Sequence, residues 1–507
     1  MTASVLLPFG EQPPSVLSSG GTLATSRVGI IDIGSNSIRL VIYRAGGRLP
    51  HPQFNEREVC RLGYGVMETG LLDGSCMQAA YAALRRFAMI ARHSQLDRML
   101  CFATAAVRVA NNGDEFLNRA EAILESRVRV LSGDEEAMMA ANGIISGFPG
   151  SVGSGMAGIV GDLGGGSLEL GLLPVQATAD EAIQTASLNI GHLVMLDEAS
   201  LCDALQTLPW LEKAKGRVLY AVGGTWRALA TASIASRRKS IPIVHGLTMT
   251  PAGLLPLLDA IAENNGDLQG IPAARKPSML QTVRITRAVL EVLQPEQMVF
   301  SGFGVREGIL YDSLPPQLRQ LDPLLTGVEE YAEMTQRFPG LGPALQQFIL
   351  PFVEHFPDQY KRLAQACCYL ADICWLEHPD YRAGMAIQKM MSMAVIGISH
   401  EERMWMAAVL SVRYQGVLPA KRLFRGMLNR KQRRRARLVG LVMRLAMTTT
   451  GGIPVLLGAV AVQPVKKGVR VEFAGEIADL SSALVERRLD AVRRYAKGKL
   501  ELVSIAD

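Results

Sequence analysis

No stretch of this 507-residue chain is apolar for long enough to cross a bilayer. The segment LVGLVMRLAMTTTGGIPVLLGAVAV comes closest, but Arg444, Thr448 to Thr450 and Gly451-Gly452 interrupt it, so it reads as core helix, turn and strand. Cysteine is scarce: seven residues, an odd number, with no Cys-x-x-Cys pair. That speaks against a zinc site and points to a reducing, cytoplasmic setting. Cys367, Cys368 and Cys374 fall in an apolar helical stretch and are expected as buried thiols. The opening MTASVLLPFGEQPPSVLSSGGTLATSR lacks the charged start and unbroken apolar run of a secretion signal. Rich in Ser, Pro and Gly, it predicts a disordered extension over residues 1–27. Net charge is only +6, with basic clusters at Arg237 to Lys239 and Arg425 to Arg437. Neither cluster is interleaved with aromatics, so base stacking has no support and nucleic acid is not an expected partner.

What the chain does have is a repeated turn. VGIIDIGSNSIRLVIYR and GIVGDLGGGSLELGLL both run from an apolar strand into an aspartate, then Gly and Ser, and out as a second strand. Asp32, Gly34 and Ser37 keep the same spacing as Asp162, Gly164 and Ser167. Glycines let a tight turn present backbone N–H groups to an oxyanion, and an aspartate at a strand end can hold hydrated Mg²⁺. Two such turns suggest a phosphate clamped between two related half-domains.

Length predicts three or four domains, and a composition of 49% hydrophobic and 20% charged residues is that of an ordinary globular protein. Residues 28–173 alternate strands and helices as one α/β domain, and residues 174–314 do so as a second. CMQAAYAALRRFAMIARHS has helical spacing, with Ala79, Leu84, Phe87, Met89 and Ile90 on its apolar face. RMLCFATAAVR reads as a strand ending in a polar turn, and VRVLSGDEEAMMAANGIISGF as strand, turn and helix. The acidic start of that helix, Asp134 to Glu136, suits the positive end of its dipole. RVLYAVGGTWRALATA and MVFSGFGVREGILYDSL each give a strand, a Gly turn and a helix. Residues 315–449 read as long helices, and 450–507 as a small domain of short strands with a closing helix.

Five ordered motifs, IDIGSNSIRL, LSGDEEAM, GDLGGGSLEL, AVGGTWRALA and SGFGVREGILYD, resemble the exopolyphosphatase and guanosine pentaphosphate phosphohydrolase family over about Val28 to Leu314. The resemblance implies two ribonuclease-H-like domains of the actin, Hsp70 and sugar-kinase ATPase fold flanking a cleft. A helical HD-like domain and a small C-terminal α+β domain would follow, as in long members. It implies a Mg²⁺ (or Mn²⁺) dependent hydrolase that releases orthophosphate from the end of inorganic polyphosphate, and a homodimer. Guanosine pentaphosphate (pppGpp) is the alternative substrate. A kinase or a non-catalytic polyphosphate or alarmone sensor on the same fold is the second alternative.

By the same resemblance Glu136 is the general base and Arg108 a catalytic guanidinium at the scissile phosphate. Asp32, Asp162 and Glu169 are the metal-facing carboxylates. Ser35, Asn36, Ser37, Arg39, Gly164, Gly165, Gly166, Ser167, Gly223, Gly224, Thr225 and Arg275 contact phosphate. Arg39 stands where the second turn has Glu169, which suggests unequal roles for the two halves; a surface hairpin position is its other reading. Arg275 is followed by Lys276-Pro277 where the family has Ala-Asp, so the local helix start is altered. Arg306 is left between a structural pairing and a site role, and Trp226 reads as core. Asp372 and His378 lie in the helical region without an adjacent His-Asp pair, so no second metal site is expected.

Overall fold

The structure is a computed structural model that describes residues 26–152, 158–175, 182–236, 241–335, 337–419, 422–465, 468–496 and 499–505. Most of the expected N-terminal extension and the cluster Arg237 to Lys239 lie outside the described residues. The chain divides into two compact units, one running to Ser236 and resuming over Val244–Leu321, the other made of Arg237–Ile243 and Asp322–Asp507. No helix among the described residues is long and apolar enough to cross a membrane.

In the first unit, the aliphatic runs GIIDI and RLVIY form β1 (Ser26–Ile33) and β2 (Ser37–Ala45), followed by β3 (His51–Val59). These three pair antiparallel. β4 (Arg98–Ala103) and β5 (Val128–Val130) add parallel to β1, giving the order β3-β2-β1-β4-β5. Central β1 is covered on both faces, hence its near-continuous apolar run. A second sheet comprises β6 (Ile159–Leu163), β7 (Leu168–Leu172), β8 (Gln184–Leu188), β9 (Leu219–Val222), β10 (Leu247–Met249) and β11 (Met298–Phe300). Its order is β10-β11-β9-β6-β7-β8. β6 to β8 are antiparallel and β9 and β11 parallel to β6, so this sheet repeats the first with one extra antiparallel edge strand.

The repeat moves an expected boundary. The sequence pattern puts β6 and β7 in the domain ending at 173, yet β6 hydrogen-bonds to β9 and β7 to β8. The second Gly turn therefore belongs to the second half. RMLCFATAAVR also differs from expectation: after β4 it enters a short helix, Ala105–Val109, that carries Arg108. In helix Gly74–His93 the buried face is Met77, Ala80, Tyr81, Leu84, Phe87 and Ala91, whereas Ala79 and Met89 are exposed.

Two helices cross between the sheets. Helix Gly133–Gly147 packs Ala140, Ala141 and Ile144 on Val160, Tyr220 and Val222 of the second sheet. Helix Val305–Asp312 packs Ile309 and Leu310 on Val28, Ile30 and Tyr43 of the first. They touch through glycine: a Cβ on Gly308 would lie 1.7 Å from Met139 O, and one on Gly143 would lie 2.3 Å from Gly304 O.

The second unit is helical from Pro323 to Ala459, including helices Leu341–Val353, His400–Gln415 and Arg430–Thr450. It closes with a sheet of β12 (Ala461–Val465), β13 (Gly468–Ala474) and β14 (Lys499–Ile505), in that order, and helix Ala483–Arg493. A separate C-terminal domain from 450 is not what forms. Val471, Phe473 and Leu489 share one continuous core with Phe348, Trp405 and Val442. GIPVLLGA, expected as strand, is helical over Pro454–Ala459 because proline is favourable in a first helical turn. Cys367, Cys368 and Cys374 are buried free thiols. Asp372 is buried between Arg337 at 2.9 Å and Arg413 at 3.1 Å, and His378 is exposed.

Candidate active site

Both aspartate turns close with the same bond: Gly34 N donates to Ser37 O at 3.1 Å, and Gly164 N to Ser167 O at 2.9 Å. Their carbonyls are tied from behind. Gly63 N donates to Ser35 O, Cys60 N and Arg61 N to Asn36 O, and the N–H groups of Gly191, His192 and Leu193 to Gly166, Gly164 and Gly165. Among the described residues the N–H groups of Ser35, Asn36 and Gly165, all three lining the cleft, make no backbone hydrogen bond, so each turn keeps at least one donor free for an anion there. At Gly223 the backbone passes so close that a Cβ would lie 2.5 Å from Leu163 O, and φ is +107°, so only glycine fits this turn without strain.

The cleft has a volume of about 160 Å³. Of the residues named from sequence, Asp32, Ser35, Asn36, Ser37, Glu136, Asp162, Gly164, Gly165, Ser167, Gly223, Gly224 and Arg275 line it. Ser132 caps the helix that carries Glu136 by accepting from Glu135 N, and Glu135 reaches back to Ser132 N at 2.9 Å. That capping box fixes the first turn, so Glu135 faces Arg129 and the next residue, Glu136, turns inward. Arg108 Nη1 donates to Glu136 Oε2 at 3.2 Å, and Arg108 Nη2 lies 3.9 Å from Glu169 Oε1.

Burial and mutual repulsion govern the acids. Burial, with the charges of Glu169 and Asp162, holds the Glu136 carboxyl well above the ordinary carboxylate range, while Arg108 opposes the rise. Burial raises Glu169 to about 7 against the hydrogen bonds from Ser167 and Ser187. It raises Asp162 to about 6 against the charge of Arg227, and Asp32 likewise upward against Arg306. Arg275 shows the converse, since burial and the neighbouring Arg57 and Arg227 bring it down to about 10, whereas Glu307 and Asp32 hold Arg306 upward against its burial. Glu169 Oε2 is buried with no hydrogen-bond partner among the described residues.

Residues 41–317 match the family described as Ppx/GppA phosphatase, and residues 348–503 match the one described as exopolyphosphatase, C-terminal. The chain belongs to the Ppx/GppA phosphatase family. The guanosine-5'-triphosphate,3'-diphosphate pyrophosphatase of Vibrio vulnificus (strain YJ016) is 29% identical over 309 residues, 58% of this chain and 60% of that protein. Exopolyphosphatase 1 of Mycobacterium leprae (strain TN) is 27% identical over 324 residues, 58% of this chain and 90% of that protein. A crystal structure of the Aquifex aeolicus Ppx/GppA family member shares 24% identity over 57% of this chain and 97% of that one, with a TM-score of 0.47. The match thus spans less than two thirds of the Vibrio protein's own length.

Within this Ppx/GppA chain some expected site residues stand elsewhere. Thr225 is fully buried, its hydroxyl without a partner, because it follows Gly224 on the inward face of helix Gly224–Ser236. Gly166 does not itself line the cleft; a Cβ on it would lie 3.6 Å from that of the lining residue Ala105. Arg39 does not line the cleft: it donates to Asn55 Oδ1 at 3.1 Å on the neighbouring strand, and burial with the charges of Arg306 and Arg227 brings its guanidinium down to about 10. Glu169 lies just behind the lining, with Ser187 Oγ donating to it at 3.2 Å. Among the described residues no three His, Cys, Asp or Glu side chains cluster as ligands of one ion, so Asp32, Asp162 and Glu169 do not converge as a ready trio.

Three titratable lining residues, Arg306, Arg227 and His192, fall outside those that the sequence assigns. Arg306, left open there, stands 3.9 Å from Asp32 Oδ2, while Glu307 is occupied by Tyr43 OH at 2.6 Å and Gly304 N at 2.9 Å. Arg227 lies on the first turn of the helix after Gly224, a position that the Gly-Gly turn could have signalled. His192 carried no sequence signal, since it follows the otherwise apolar stretch after β8. Trp226 is core as read: its indole N–H donates to Thr286 Oγ1 at 3.0 Å.

Proposed function

We propose that this protein is an exopolyphosphatase that hydrolyses the terminal phosphoanhydride of inorganic polyphosphate, with Glu136 as general base. The observation that carries the reading is the Glu136 carboxylate, buried beside Arg108 and lining a cleft with both aspartate turns. A water held by Glu136 attacks the terminal phosphorus, its proton passes to the carboxylate, and the bridging P–O bond breaks to release orthophosphate from the shortened chain. Arg108, Arg227, Arg275 and Arg306 oppose the charge that builds on the phosphoryl oxygens, and the backbone N–H groups of the two turns orient them.

The donor set also fits a divalent cation of the Mg²⁺ or Mn²⁺ kind, which takes one or two carboxylates and completes its shell with water and substrate phosphate. Asp162 would hold it, with Glu169 close behind; the Glu169 Oε2 that finds no partner among the described residues and the raised proton affinity of these acids both suit a cation there. Bound there, the ion would neutralise phosphate charge.

The alternative substrate is guanosine pentaphosphate, in keeping with the name of the Vibrio relative. A cleft of about 160 Å³, smaller than the roughly 300–1,000 Å³ of ordinary small-molecule sites, favours a bare phosphate chain over an enclosed nucleoside. The test is phosphate release from long-chain polyphosphate and from guanosine pentaphosphate by the purified chain, with Glu136→Ala as control. Release that survives in the variant overturns the mechanism, and release from guanosine pentaphosphate alone overturns the substrate.

A further inference from the structure

The basic run that the cleft does not use lies at the start of helix Arg430–Thr450 in the second unit. Lys431, Arg434, Arg435 and Leu438 follow the i, i+3, i+4, i+7 spacing of a single helix face. Together with Phe356 and Tyr495 they line a cavity of about 570 Å³, inside the roughly 300–1,000 Å³ range of small-molecule sites and well above the cleft. One cation of its wall, Arg435, is stacked on rings. The guanidinium of Arg435 lies 4.7 Å from the Tyr360 centroid and 5.4 Å from that of Phe356, and Arg437 lies 5.9 Å from that of Tyr495. His355 meets Phe356 edge-on at 4.9 Å.

Lys431 and Arg434 are exposed, and among the described residues no carboxylate pairs with them or with Arg435. Three cations gathered without a counter-charge repel one another and are relieved by an anion. A purely inorganic anion has no use for the apolar wall that Phe356, Leu438 and Tyr495 provide. A flat ring carrying phosphates uses both, because rings stack on aromatic and guanidinium faces while phosphate takes the cations. We propose that this cavity is a second ligand site, separate from the catalytic cleft, for a nucleoside phosphate: base against Tyr495 and Phe356, phosphates on Lys431, Arg434 and Arg435.

The full chain is photolabelled with 8-azido-ATP and, separately, 8-azido-GTP, and the modified peptides are mapped. The expected label falls on peptides containing Phe356 or Tyr495, is displaced by ATP or GTP, and drops at least tenfold in the Lys431→Glu, Arg434→Glu double variant. Both positions are exposed, so the variant is expected to fold, and circular dichroism verifies it. Label confined to peptides around Gly223 to Arg227, no label at all, or displacement by tripolyphosphate at the same concentration as by ATP overturns the proposal.

Discussion

Arg108 divides one guanidinium between two acids: Nη1 donates to Glu136 Oε2 at 3.2 Å, and Nη2 stands 3.9 Å from Glu169 Oε1. A further bond from Nη1 to Leu131 O at 2.6 Å fixes the side chain in that place. The cation lowers the proton affinity of both acids, against the burial that raises it. In Arg108→Gln that relief is gone and the proton affinity of both rises. The acid limb of kcat/KM, which reports the carboxylates as a coupled group, is expected to move to higher pH, together with a fall in kcat. Rate profiles of the two proteins between about pH 5 and 9 check it. A limb that stays in place would detach Arg108 from the ionisation of the base.

Glu136→Gln keeps the shape of the base and removes its ability to take a proton. Phosphate release is expected to fall by roughly 10²–10⁴-fold. The same change removes an acid whose ionisation is opposed by burial and by Glu169 and Asp162. The variant is therefore expected to melt at the same temperature as the wild type or above it, which separates a lost base from a lost fold. Calorimetry beside the phosphate assay reads both, and a rate within tenfold of wild type would move the base elsewhere.

The hairpin registers explain which parts of this site were legible in sequence. Asp32 pairs with Arg39 across β1 and β2, and Asp162 with Glu169 across β6 and β7, so the spacing seen in the chain is a spacing in space. Local order of that kind is written in consecutive residues. What brings Arg306 to Asp32 is instead the return of the chain after the whole second sheet, and nothing in VREGILYD states that its arginine faces β1. The same holds for the domain boundary. β6 pairs with β9, and β9 begins 56 residues after Leu163 ends β6, counted from 163 to 219, so strand partners could not be read from the intervening pattern. Thr225 was misplaced for a simpler reason: adjacent residues on a helix start point in different directions, and the motif names the turn without naming the face.

Gly308 marks the crossing of the two helices that join the halves of the cleft. A Cβ there would stand 1.7 Å from Met139 O, backbone that cannot swing aside as a side chain could. Gly308→Ala is expected to push the helices apart and to cost about 1–3 kcal/mol or more, the usual range for overpacking. Met139 lies one turn from Glu136 on the same helix, so activity is expected to fall further than the unfolded fraction explains. Urea unfolding and activity per folded molecule measure the two effects, and a variant as stable as wild type would show that the crossing can relax.

His192 lines the cleft and is buried with Nδ1 unpartnered. Burial, aided by the charge of Arg275, brings it from an ordinary 6.5 down to about 4. Between those values the unfolded chain holds more protons at this site than the folded one, so acid favours unfolding. Its contribution is therefore complete above pH 6.5 and lost as pH falls toward 4, about 3 kcal/mol in all at 1.36 kcal/mol per unit. His192→Asn has no proton to gain. Its stability relative to wild type is expected to improve steadily on acidification, with groups common to both proteins cancelling in the difference. Urea unfolding of both at neutral pH and near pH 4.5 measures that difference, and a value independent of pH would mean that His192 is already solvated or paired in the folded protein.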